Sequence, residues 1–351
     1  MQNERYYLLD IARGIAAFSV AIFHYRIFYD NNISLVDYNA QKQPFYSIIF
    51  FIYEYGWMAV QFFFILSGFI FYILYSERVK KNEITKLTFF KLRFSRLYPL
   101  HFITLLISVL IFYFYNQNFF SVKIEGDLKH LLLNLFLIHE WGFSEFRSFN
   151  EPSWSISIEA LLYSVFFIVF SLKKNDYAVT LVSIFLGIIV FFINKWIGYA
   201  MYCFFVGGLT CLIYKKIITN KKNLKLSFIA STFFIVTTII FLNYTDNKIL
   251  IKIATYTFLF PSIIINLMII QVFFNSAGKF FSIIGDISYS VYLIHFVFQI
   301  IIKLTMFNFG LKFNFNSELI FLIYLFSLYI ISFLSFRYFE IPMQRILRNS
   351  F

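Results

Sequence analysis

Long apolar runs separated by short polar breaks dominate the chain. A helix needs about 20 mostly apolar residues to cross the hydrocarbon core of a bilayer, and roughly ten segments approach that length. They fall at 8–28, 51–75, 99–115, 154–172, 177–194, 199–214, 226–243, 251–274, 283–303 and 319–338. A further apolar stretch, 131–138, is too short to span and fits a re-entrant or interfacial helix. The pattern predicts an all-α fold, a polytopic membrane helix bundle. No polar block is long enough to form a water-soluble domain, so residues 1–351 are expected to make one membrane-embedded domain without an additional soluble one. Two connections are long, 29–47 and 116–153, and loops of that size are usually functional or disordered.

Composition narrows this further. Hydrophobic residues make up 60% of the chain, charged residues only 14%, and the mean hydropathy is +0.74. A soluble domain carries about a quarter charged residues, so this chain cannot cover a water-facing surface. The net charge of +12 sorts by side. With the N-terminus inside, the inner connections hold Arg78, Lys80, Lys81, Lys86, Lys91, Arg93, Arg96, Lys173, Lys174, Lys215, Lys216, Lys221, Lys222 and Lys225, whereas the outer ones are sparser in Lys and Arg. The positive-inside rule then places both termini in the cytoplasm, with an even number of spans. The charge therefore reports topology and implies no nucleic-acid partner; the basic face can meet anionic lipid or an anionic cofactor. Glu4 and Asp10 flank the first run and no small-residue cleavage site follows it, which does not fit a cleavable signal. Cys203 and Cys211 would stand about 12 Å apart along a helix axis, beyond disulfide reach. They read as small buried hydrophobes. No His/Cys cluster has metal-ligand spacing, so no metal is expected.

The ionisable residues inside the apolar runs are the candidates for chemistry, because a charge in a membrane is expensive and by default functional. Asp10 and Arg13 are three apart on the first span and share a face. Arg13 and His24 are eleven apart and share it too, separated by about 16 Å along the axis. Gly14, Ala16 and Ala17 between them permit close helix approach. The bland alternative is that Arg13 snorkels to one interface and His24 reaches the other. Arg93 and Arg96 stand one turn apart before the third span and, with Lys91 and Arg13, suit a phosphorylated ligand; ordinary stop-transfer charges would look the same. Glu159 lies about 8 Å into the fourth span, where it is either a site residue or a structural partner to a neighbouring helix. Pro152, Ser153 and Trp154 read as an interfacial helix start. His295 sits mid-span one turn beyond Tyr292, as a packing residue or a functional one. Glu340 closes the last span and is expected to pair with a basic residue. His101, His130 and His139 show no partner pattern.

Six motifs taken together resemble the acyltransferase-3 family of integral membrane O-acyltransferases. They are Leu9-Asp10-Ile11-Ala12-Arg13-Gly14-Ile15-Ala16-Ala17 with His24; Phe62-Phe63-Phe64-Ile65-Leu66-Ser67-Gly68-Phe69; Arg93-Phe94-Ser95-Arg96-Leu97-Tyr98-Pro99; Pro152-Ser153-Trp154-Ser155-Ile156-Ser157-Ile158-Glu159; Ser288-Tyr289-Ser290-Val291-Tyr292-Leu293-Ile294-His295; and Phe339-Glu340-Ile341-Pro342. They occur in the family's order and cover essentially the whole chain. Ile156, Ile158 and Ala160 depart from the family's frequent Leu, Val and Glu.

The resemblance implies transfer of an acyl group, usually acetyl, from acyl-CoA to a hydroxyl. The acceptor would be a sugar of a cell-surface glycan such as an O-antigen or exopolysaccharide, or its lipid-linked precursor. It implies a multi-pass protein of the bacterial cytoplasmic membrane. The family's pattern falls on His24, Glu159 and Arg13 as catalytic residues and on Arg93, Arg96 and Arg13 as ligands of acetyl-CoA, with Asp10, Trp154, Ser155, Tyr292 and His295 in support. In this scheme His24 is the general base and Glu159 orients it or balances its charge. A transporter or flippase for a glycan or small metabolite is the alternative. Such carriers more often show Gly/Pro-broken spans and internal repeats, and the chain has only 12 Gly and 5 Pro.

Overall fold

In a computed structural model, residues 5–29, 38–115, 126–144, 147, 149–219 and 221–350 are described. Parts of the two long connections, 30–37 and 116–125 among them, lie outside the described residues. Every regular element among the described residues is helical.

The first span forms α1 (Tyr7–Phe23), continued by a 3-10 turn, His24–Tyr29. The second begins earlier than its apolar run, as α2 (Tyr46–Tyr55), and passes through a 3-10 turn, Gly56–Met58, into α3 (Ala59–Leu74). After the short α4 (Ser76–Lys80) comes α5 (Lys86–Tyr115), a single helix of 30 residues with Pro99 inside it. The expected start at residue 99 is thus too late. A membrane helix tolerates an internal proline because neighbouring groups make good the lost hydrogen bond, so the basic stretch before Pro99 is helical as well. Thirty residues give about 45 Å of helix, well beyond a hydrocarbon core of about 30 Å.

The short apolar stretch forms α6 (Leu128–Leu135), capped by the Asp127 side chain, which accepts from the His130 N–H. Then follow α7 (Trp154–Ser171), α8 (Asp176–Phe191), α9 (Lys195–Ile218) and α10 (Lys221–Asn243). Asn175 and Asn194 cap α8 and α9, each side chain accepting two backbone N–H groups, which satisfies donors that have no partner within the helix. Next come α11 (Lys248–Ala254), a π turn over Thr255–Leu259, and α12 (Phe260–Phe273). The run expected over 283–303 is broken: α13 (Ile283–Asp286) stops at Ile287 before α14 (Ser288–Phe309) begins. Finally α15 (Glu318–Ser335) passes through a second π turn, Phe336–Glu340, into α16 (Ile341–Asn349).

Among the described residues, nine helical runs are long and apolar enough to cross a membrane, and the 16-residue α8 is an apolar helix just short of that length. The all-helical, many-span architecture is as expected, with nine runs of spanning length among the described residues where ten segments were expected.

The chain divides into two compact units. One comprises residues 1–14, 60–86 and 162–285, the other 15–59, 87–161 and 286–351. In the first, glycines let backbones touch. A Cβ on Gly68 would stand 1.8 Å from the Phe204 carbonyl oxygen and one on Gly207 1.9 Å from that of Ile65, so α3 and α9 cross at reciprocal glycines, as small residues allow. Lys80 Nζ pairs with Asp176 at 2.7 Å. Tyr72 and Thr180 share a hydrogen bond of 2.7 Å. Phe69, Phe166, Phe204 and Phe205 fill the interior. In the second unit, Ile27, Ile111, Phe296, Val297, Ile300 and Leu304 form an apolar cluster. Beside it stand buried polar groups: the Gln299 amide donates to Tyr324 at 2.8 Å, and His101 Nε2 bonds the Asn134 carbonyl at 3.0 Å.

Candidate active site

His24 opens the 3-10 turn that follows α1. Its Nδ1 lies 3.1 Å from Nε2 of His295, which is fully buried on α14. Nδ1 of His295 in turn lies 3.1 Å from the carbonyl oxygen of Val291, one turn back on the same helix. Tyr292 is also buried, its ring 6.1 Å from that of His295. The Tyr292 hydroxyl bonds Ser155 Oγ at 2.7 Å and donates to the Pro152 carbonyl at 3.0 Å. Those two contacts tie α14 to the first turn of α7. Asn150 adds a third tie, its amide donating to the Leu293 carbonyl at 3.2 Å.

Glu159 stands one turn beyond Ser155 on α7, where its charge acts on Tyr292. Among the sequence candidates, His24, His295, Tyr292, Ser155 and Glu159 therefore belong to one neighbourhood, all within the second unit. The sequence supplied each residue singly; the His24–His295 contact joins positions 271 apart and no local pattern announces it.

Arg93 and Arg96 lie one turn apart on α5, with Ser95 buried between them. Ser95 Oγ accepts from Arg348 Nε on α16 at 3.3 Å. The charge of Arg96 acts on Glu340, which is 3% exposed and accepts a hydrogen bond from the Ser290 hydroxyl. The expected basic partner of Glu340 is thus Arg96, acting beside a serine.

In the first unit, Arg13 Nη2 donates to Asp10 Oδ1 at 2.9 Å and to the Gly285 carbonyl, also at 2.9 Å. Asp10 Oδ2 accepts from Arg5 Nε at 2.7 Å. A Cβ on Gly285 would fall 2.2 Å from the Asp10 carbonyl oxygen and one on Gly14 2.4 Å from Ile284 Cγ2. The small residues around Arg13 do bring helices close, as their spacing suggests.

A family model described as an acyltransferase domain matches residues 6–337. The chain belongs to the acyltransferase-3 family. Its nine apolar helical runs among the described residues make it a multi-pass membrane protein of that family. Over 113 residues the chain is 35% identical to a protein named Acyltransferase MdmB from Streptomyces mycarofaciens, a stretch that is 32% of this chain and 27% of that one. Over 131 residues it is 32% identical to Protein 2 in picA locus from Rhizobium radiobacter, covering 37% of this chain and 57% of that one. Each match spans less than two thirds of the relative's length. No solved structure matches the chain.

The chain also carries a polar cluster that its sequence did not reveal. Between α6 and α7, Arg147 pairs with Glu140 at 2.6 Å, and its guanidinium lies 4.6 Å from the centre of the Trp154 ring. Burial raises the Glu140 carboxyl above its usual range, opposed by the Arg147 charge. His139 bonds Ser153 Oγ at 3.2 Å, and its ring lies parallel to that of His101, centroids 6.0 Å apart. Burial, with His101 and Arg147 adding charge, pushes His139 down to about 3. His139, Glu140 and Arg147 sit in irregular backbone, where neither helical nor strand periodicity can point to them.

Proposed function

We propose that this acyltransferase takes an acyl group, acetyl above all, from acyl-CoA on the cytoplasmic side of a bacterial inner membrane. It passes the group to a sugar hydroxyl of a cell-surface glycan or its lipid-linked precursor. The observation that carries the reading is the His24 imidazole held 3.1 Å from a second, fully buried histidine. A general base needs a fixed ring and a free nitrogen facing substrate.

His24 removes the proton of the acceptor hydroxyl as its oxygen attacks the thioester carbonyl carbon. The C–S bond breaks, and the departing thiolate collects the proton from His24 as free thiol. Glu159 lends a carboxylate to orient the site or to balance the imidazolium. Arg93 and Arg96 take the phosphates of coenzyme A, since guanidinium groups bind phosphate oxygens in pairs. Arg13, held by Asp10 and the Gly285 carbonyl, fixes the start of the helix that leads to His24. Trp154, with Arg147 on its face, borders the acceptor.

Purified protein tests this with acetyl-CoA as donor and thiol release as readout. His24→Ala is expected to fall to background with unchanged yield of folded protein; substantial remaining turnover would sink the assignment. Arg93→Ala and Arg96→Ala should each raise KM for acetyl-CoA about tenfold with kcat largely kept, the mark of lost ground-state binding. An unchanged KM counts against the phosphate role. Mass spectrometry of surface glycans from cells with and without the gene then names acyl group and acceptor together.

A further inference from the structure

We infer that His295 is a positioning residue that holds the proton of His24 on Nδ1 and so leaves the lone pair of His24 Nε2 as the base. The inference rests on the reading of His24 as the base and adds which nitrogen acts and what selects it.

The buried end of the chain of contacts decides the rest. A carbonyl oxygen only accepts, so His295 Nδ1, 3.1 Å from the Val291 carbonyl, must carry a hydrogen and donate it. In a neutral imidazole the other nitrogen then has the lone pair. His295 Nε2 is therefore an acceptor, and the group 3.1 Å away, His24 Nδ1, must be its donor. The ring centroids are 5.1 Å apart and the planes 22° from parallel. Centroids so much farther apart than the nitrogens mean that the rings meet edge to edge, as an N–H···N bond in the ring plane requires. The Val20 carbonyl, one turn back on α1, also accepts from the His24 ring, and Nδ1 is the ring nitrogen near enough to the backbone to reach it. Both neighbours therefore call for one tautomer of His24, with hydrogen on Nδ1 and a lone pair on Nε2.

The scaffold around His295 keeps the acceptor in place. Tyr292, one turn earlier, is tied through its hydroxyl to Ser155 of α7 and to Pro152 in the turn before it, and Asn150 bonds the Leu293 carbonyl. In hydrolytic triads a carboxylate selects the working tautomer of a catalytic histidine. Here a neutral imidazole does so. When His24 Nε2 takes the acceptor's proton, the new positive charge is shared across the N–H···N bond. The proton on Nε2 passes to the leaving sulfur, and His295 gains and loses nothing over the cycle.

Nitrogen NMR of histidine-labelled protein, with resonances assigned from single His variants, reads the tautomer directly. The expected wild-type spectrum has His24 Nδ1 pyrrole-like and Nε2 pyridine-like. His295→Gln, whose amide oxygen reaches the place of Nε2, should keep that pattern and hold kcat within about tenfold. His295→Leu, which leaves only the Val20 carbonyl to hold that hydrogen, should weaken the preference and lower kcat about 10²-fold with KM for acetyl-CoA unchanged. If the Leu variant does not fold, His295→Asn, which keeps a donor towards Val291 but no acceptor towards His24, should behave as described for Leu. A wild-type His24 protonated on Nε2, or Leu and Asn variants as active as Gln, overturns the inference. An inactive His24→Ala together with an unshifted tautomer in His295→Leu sinks the positioning role alone. An active His24→Ala sinks the base reading and leaves the tautomer measurement standing.

Discussion

The two units solve the same problem, burying helices against one another, by opposite means. The first holds eight of the 12 glycines: Gly14, Gly68, Gly187, Gly198, Gly207, Gly208, Gly278 and Gly285. The second holds all five histidines: His24, His101, His130, His139 and His295. In the first, contact is made by backbone on backbone, with no room for a side chain at Gly68 or Gly207. In the second, helices are joined by hydrogen bonds between side chains and carbonyls, as Tyr292 joins α14 to α7. Close-packed backbones give rigidity, and polar groups kept from water give chemistry at the price of needing partners. The proposed chemistry accordingly falls on the histidine-bearing unit.

Three measurements can break or sharpen that contrast. The largest effect is expected from Gly207→Leu. Its Cβ alone would stand 1.9 Å from the Ile65 carbonyl oxygen, so α3 and α9 must separate, with a loss of about 3 kcal/mol or more. Thermal unfolding in detergent should drop sharply and activity should fall with it; a variant of wild-type stability would show the crossing to be loose. Tyr292→Phe should do the reverse. Removing a hydroxyl that bonds Ser155 and Pro152 lowers stability by only about 1 kcal/mol. Turnover should nevertheless fall about tenfold, the equivalent of some 1.4 kcal/mol in the barrier, because the tie lies one turn from His295. Equal losses in stability and turnover would deny the second unit its special role.

The third measurement concerns His139. Its folded pKa of about 3 lies below the ordinary 6.5, so the fold prefers the neutral ring. That preference contributes fully above about pH 6.5 and is lost as pH falls towards 3, by at most about 1.4 kcal/mol per unit. Melting temperatures at about pH 7 and about pH 5 should therefore diverge in the wild type and converge in His139→Gln. An equal pH response in both would remove His139 from the account.

Much of the architecture was legible because a membrane writes itself into sequence as length and hydropathy. Asn175 and Asn194, placed just before apolar runs, mark the starts of α8 and α9 as well as any soluble N-cap would. The errors have local causes. Pro99 looked like a helix start because proline favours that position, yet it lies inside α5. The break at Ile287 was hidden since apolar composition runs straight through it. The site was legible as a set of residues and illegible as a network. Expense marks His24, Glu159 and His295 individually, whereas the pairing of His24 with His295 depends on the tertiary path of the chain. Arg147 and Glu140 gave no signal, lying where the backbone has no period.

The π turn over Phe336–Glu340 acts as a change of gear in the last helical run. One extra residue in a helical turn rotates everything beyond it by about 100° relative to an unbroken helix. Without that offset, Glu340 would not face Ser290 and Arg348 would swing away from Ser95. Deleting one residue from the turn would leave composition and hydropathy almost untouched while re-aiming the whole C-terminal segment.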